Sequence, residues 1–111
     1  MLLYNSTRGT VLSQELKKVS GFSESARGLL DSSNPRSIML KTRFGIHTFF
    51  MKEAIDVLVL DTNFVVRRVR SSLKPFRFFF WNPIYPYVVE LPAGSIGTSK
   101  TSEGDILQIV G

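Results

Sequence analysis

The stretch IHTFFMKEAIDVLVLD, Ile46 to Asp61, holds the only histidine of the chain beside a lysine and several carboxylates. These residue types suit general acid–base chemistry. His47 as a base, oriented by Asp56 or Glu90, would complete a hydrolase site if a serine hydroxyl lay within reach. No serine stands in a Gly-x-Ser-x-Gly elbow, and a lone histidine at a strand edge is more commonly a hydrogen-bonded packing residue. Paired-carboxylate chemistry has Glu53, Asp56, Asp61, Glu90, Glu103 and Asp105 to draw on, but the sequence does not show which of them face each other. Asp56 and Asp61 bracket an apolar run and read as structural acids, and Asp105 in EGDIL reads as a turn acid bonded to nearby N–H groups.

Other chemistries lack their residues. There is no cysteine, hence no disulfide, thiolate nucleophile or cysteine-ligated zinc. One histidine and no calcium-type carboxylate spacing leave no metal site to expect, and no glycine-rich phosphate loop or other cofactor motif is present.

One constellation remains: Arg27, His47, Lys52, Asp56 and Glu90, polar residues set in apolar surroundings. In one reading Arg27 pairs with Asp56 or Glu90 and fixes a helix against a sheet. In the other these residues line a small pocket open to a polar or anionic ligand.

The 111 residues fit one domain, 1–111, able to bury a core without staples. The N-terminus has no signal-peptide pattern and no apolar run reaches membrane-span length, so a soluble, cytoplasmic protein with no membrane partner is expected. The net charge is +5, and Arg67, Arg68, Arg70, Lys74 and Arg77 follow one another without an acid between. Beside them lie Phe76, Phe78, Phe79, Phe80 and Trp81. Cations next to aromatics can hold a nucleic-acid strand. The plainer reading, preferred here, makes the phenylalanines core and the arginines a solvated edge.

These residues need elements to position them. MLLYN and TVLSQELKKV form a hairpin about Gly9, with imperfect alternation in the second arm. Ser23 caps a short helix near residues 23–30, ended by DSSNP. SIMLKT is a strand with Ile38 and Leu40 on one face. RFGIHTFF reads as a loop, since Gly45 interrupts regular structure. IDVLVL is apolar at both parities and so reads as a central strand covered on both faces, returning through DTN into FVVRRV. Pro75, Pro83 and Pro86 argue against long regular structure between Leu73 and Pro86. YVVEL is a strand, residues 93–105 a polar connection, and ILQIV the last strand. Short strands with frequent turns predict a mainly β, single-domain sandwich- or barrel-like fold with one short helix.

Four spaced motifs, ARGLL at Ala26 to Leu30, IHTFFMKEAIDVLVLD, VELPAG at Val89 to Gly94 and EGDIL at Glu103 to Leu107, together resemble the family named domain of unknown function 192. The resemblance covers about Leu12 to the end. His47, Thr48, Phe49, Met51, Ile55 and Asp56 match one branch of it, whereas Phe50, Lys52, Glu53 and Ala54 depart from glycine, arginine, an apolar residue and proline. It implies a compact, mostly β fold of sandwich type and no established activity. The function expected is a non-catalytic ligand-binding or interaction module with a polar pocket near the His47–Asp56 loop. The alternatives are a small hydrolase using His47 with Asp56 or Glu90, and weak nucleic-acid binding through Arg67 to Trp81.

Overall fold

A computed structural model describes residues 1–19, 37–42, 45–48 and 52–111. The strands begin with β1 (Leu2–Asn5) and β2 (Thr10–Ser13), a hairpin whose turn places Gly9 at φ 71°, where a side chain would be strained. β3 (Leu16–Val19) follows, then β4 (Ser37–Lys41), β5 (Gly45–His47), β6 (Ile55–Leu60), β7 (Val66–Leu73), β8 (Phe78–Phe80) and β9 (Tyr87–Pro92). A short helix, α1 (Ser95–Ser99), precedes β10 (Leu107–Val110). The fold is mainly β and built from several sheets, not a closed barrel.

The main sheet has the order β3-β4-β9-β6-β7, with β3–β4 parallel and the other pairs antiparallel. A second sheet, β10-β1-β2, joins the two ends of the chain, and β5 with β8 makes a two-stranded ribbon. Two hydrophobic clusters lie on opposite faces of the main sheet. Leu58, Leu60, Val89, Leu91 and Met39 meet Leu3, Leu12 and Leu107 of the second sheet and Ile96 of α1. Val57, Val59, Val88, Ile38 and Leu40 meet Ile46 of β5, Phe79 of β8 and Trp81. The main sheet is therefore a middle layer.

That layering explains IDVLVL. Every residue of β6 is buried, and Val57 through Leu60 are fully so, because successive side chains enter different clusters. Each such aliphatic side chain contributes roughly 2 kcal/mol of burial free energy. A strand covered on both faces must be apolar at both parities.

Three expectations change. TVLSQELKKV is not one arm: the chain leaves β2 at Ser13, and β3 resumes at Leu16 in a different sheet. Its imperfect alternation is the trace of that switch. The stretch about Gly45 is not a loop but β5, in register Gly45↔Phe80, Ile46↔Phe79 and His47↔Phe78. The polar connection 93–105 contains α1. The short helix expected near residues 23–30 lies outside the described residues.

Candidate functional site

Asp56 enters the sheet at the start of β6 and is fully buried. One carboxylate oxygen accepts the N–H of Ser72 at 2.9 Å. The other accepts those of Gly94 at 3.1 Å and Ile96 at 2.9 Å. The β6–β7 register slips at this point, Ile55 pairing with Leu73 but Val57 with Arg70, and Ser72 sits at φ 53°. Asp56 thus pins a β-bulge on one side and the entry into α1 on the other. It satisfies main-chain donors that the sheet leaves over, that of Ile96 buried and those of Ser72 and Gly94 part-buried.

Glu90 is also buried, in β9, and stands in register with Val57 and Ile38. Asp56 is in register with Leu91. Because strand side chains alternate, the two carboxylates project to opposite faces of the main sheet: Asp56 with the Leu58–Leu91 cluster, Glu90 with the Val57–Val88 cluster. They do not share one polar cluster. His47 lies on the ribbon that covers the Glu90 face, half-buried, with its ring edge-on to Phe78 at 6.4 Å. An orienting bond from Asp56 to His47 would have to cross the sheet. Lys52 is exposed between β5 and β6, and Arg27 lies outside the described residues.

The outer side of the β5–β8 ribbon is organised differently from the expectation of phenylalanines as core. Phe79 and Trp81 point inward and are buried. Phe78 and Phe80, of the other parity, are 57% and 63% exposed, and Phe76 in the preceding turn is 68% exposed. The Phe78 and Phe80 rings stack at 5.6 Å with 13° between their planes. Opposite Phe80 stands Gly45, over which its ring lies. Thr48, buried, holds the approach to the ribbon: its hydroxyl donates to the Lys74 carbonyl at 2.6 Å and accepts the Arg77 N–H at 2.9 Å, and its carbonyl accepts the Phe76 N–H at 3.0 Å. Arg68, from the edge strand β7, places its guanidinium 5.4 Å from the Phe79 ring centre. FRFFFW carries no polar–apolar alternation to mark this face; only the two-residue period of a strand separates Phe78 and Phe80 from Phe79 and Trp81. Taking the run as a composition cluster hides it.

A depression of about 270 Å³ opens between the β2–β3 turn and α1, with Ser13, Glu15, Ser37 and Ser95 on its wall. His47, Lys52, Asp56 and Glu90 are not on its wall. No cluster of metal-ligating side chains occurs among the described residues.

A buried polar network ties the chain ends. The Asn5 amide donates to Thr101 Oγ1 and to Asp105 Oδ2, both at 3.0 Å, and Arg8 Nε reaches the same Asp105 oxygen at 3.0 Å. Burial would push Asp105 up, but the Asn5 amide, the Ser102 N–H and Arg8 outweigh it and hold the carboxyl below its ordinary value. Asp61 is likewise lowered: burial opposes, while the Val65 N–H, Arg67 and the Asn63 N–H prevail. A depressed folded value means stability that is present above the unfolded carboxylate value and lost as pH falls through the folded one. Urea midpoints are therefore expected to hold steady down to about pH 4 and to fall below it. In Asp105→Asn the acid-side fall should be shallower.

These features define a small layered β domain with structural buried acids and one exposed aromatic ribbon. The chain belongs to the UPF0127 family. It is 33% identical over 111 residues to a UPF0127 protein of Pyrococcus horikoshii, with 94% of this chain and 95% of that one aligned. It is 33% identical over 113 residues to the Pyrococcus furiosus member, covering 96% of each. No protein-family model matches the chain. Among solved structures, a candidate transcription regulator from Sinorhizobium meliloti superposes with a TM-score of 0.77 at 16% identity, over 96% of this chain and 89% of that one. A protein of unknown function from Novosphingobium aromaticivorans gives 0.77 at 11% identity, over 97% and 82%. At these identities the likeness is one of fold. No helix among the described residues is long and apolar enough to cross a membrane.

Proposed function

We propose that the domain is a non-catalytic binding module whose contact face is the outer side of the β5–β8 ribbon, with His47 at its edge. The observation that carries this reading is the exposure of Phe76, Phe78 and Phe80 on and beside one ribbon, each more than half open to solvent. Apolar side chains grouped on a surface mark contact sites more often than they serve stability. The contact reading differs from a pocket lined by Asp56 and Glu90, since those carboxylates lie on opposite faces of the sheet. We also infer that UPF0127 and the family named domain of unknown function 192 describe the same domain, on the strength of the four motifs.

A hydrolase built on His47 with Asp56 is disfavoured by the engagement of both Asp56 oxygens with main-chain N–H groups. The reading is tested with chromogenic carboxylic esters, phosphoesters and glycosides. Wild type and His47→Ala are expected to give the same background rate. Turnover by wild type that disappears in His47→Ala, with folding intact by circular dichroism, would overturn the binding-module reading.

A further inference from the structure

We infer that the occupant of this face is single-stranded nucleic acid, an inference that rests on the contact-face reading above and gives it a ligand. Charge is the first argument. No acidic residue stands between Asp61 and Glu90, while Arg67, Arg68, Arg70, Lys74 and Arg77 all fall there. All five are exposed. Arg77 lies between the exposed Phe76 and Phe78 in the chain and donates to the Phe76 carbonyl at 3.3 Å, and Arg68 of β7 lies against the inward-facing Phe79 ring, so cations flank the ribbon at its turn and on its inner side. Of these cations only Arg67 is held by a carboxylate among the described ion pairs, that of Asp61. A second copy of this chain would bring a like-charged patch to the same place, so the complementary partner is an anion.

Ring geometry is the second argument. Phe78 and Phe80 project from alternate positions of a strand, their rings nearly parallel, and Gly45 opposite gives Phe80 room to lie across the ribbon. Aromatic rings on a strand surface, with cations flanking the strand, offer stacking faces to bases and charge to phosphates. A lipid surface is better met by side chains at loop tips, and an acidic peptide makes no use of a stacked ring pair. The recognition would be tolerant of sequence, because every base has a flat face.

The test measures fluorescence anisotropy of labelled oligothymidylate and oligouridylate at low salt, with wild type, Phe78→Ser/Phe80→Ser and Lys74→Gln/Arg77→Gln. Wild type should bind, and raising salt should weaken it. The serine variant should lose about tenfold or more in affinity. The glutamine variant should bind more weakly with a flatter salt dependence. Oligonucleotide binding equal in wild type and the serine variant would overturn the inference, since charge alone would then explain it. If oligonucleotides fail while phosphatidylserine vesicles or polyglutamate bind in a manner lost with the serine variant, the nucleic-acid inference falls and the contact face stands. If wild type binds none of the three probes, both fall.

Discussion

Replacing Asp56 with alanine should cost about 2–4 kcal/mol of folding stability, read as a large drop in urea midpoint and melting temperature. The reason lies in what is left behind rather than in the lost side chain. Ser72, Gly94 and Ile96 each direct a main-chain N–H at the carboxylate, at 2.9, 3.1 and 2.9 Å. The carboxylate and the Ile96 N–H are buried, so water reaches that donor only if the start of α1 pulls away from β6, whereas the Ser72 and Gly94 N–H groups lie nearer the surface. An unsatisfied buried donor costs roughly 1–3 kcal/mol, and here one buried and two part-buried donors lose the same acceptor. Asp56→Asn is the informative companion. Its amide keeps one acceptor but turns an N–H₂ toward a donor, so it should fall between wild type and alanine. A midpoint unchanged in Asp56→Ala would mean that the β9–α1 connection and the bulge are held by other contacts, and the structural account of this acid would fail.

The same residue shows how far the sequence could be read. An acid inside a strand buried on both faces must have its oxygens satisfied, so a structural role for Asp56 follows from IDVLVL alone. Its partners do not, because Gly94 and Ile96 are 38 and 40 residues away along the chain. The helix they open is equally hidden. SIGTS contains glycine, serine and threonine, poor helix formers, and its N-cap residue Gly94 has no side chain to cap it. It is held by Asp56 at its entry, by Ser99 Oγ bonding the Ser95 carbonyl at 2.8 Å, and by Ile96 in the core. Tertiary contacts override propensity there. The opposite case is β6, where burial on both faces is written directly as apolar residues at both parities. Between them stands the ribbon. FFFW is apolar at both parities, as β6 is, so the exposure of Phe78 and Phe80 against the burial of Phe79 and Trp81 emerges only once Gly45 is seen as a strand residue paired with β8 and not as a break.

Gly45 therefore bears on stability and on the contact face together. A β-carbon at this position would collide with the Phe79 carbonyl oxygen and stand 2.6 Å from Cδ1 of Phe80. The Phe80 ring can swing, but the carbonyl belongs to the facing backbone and cannot yield unless the two strands part. Gly45→Ala should accordingly cost about 2–4 kcal/mol, at the upper end of what overpacking does, with the ribbon lifting from the main sheet. Trp81 is the only tryptophan of the chain, so its emission reports this site alone. It is buried beside Phe79, 5.7 Å between ring centres, with its indole N–H donated to the Tyr85 carbonyl at 3.0 Å. The expected result is a red-shifted, more quenchable Trp81 emission with most of the far-ultraviolet β signal retained, because β6, β9 and the second sheet make no direct use of Gly45. Oligonucleotide affinity should fall as well, since the ring pair loses its platform. Emission and urea midpoint both unchanged in Gly45→Ala would show that the strands can separate at no cost. The close approach of β5 to β8 would then not be what positions Phe78 and Phe80.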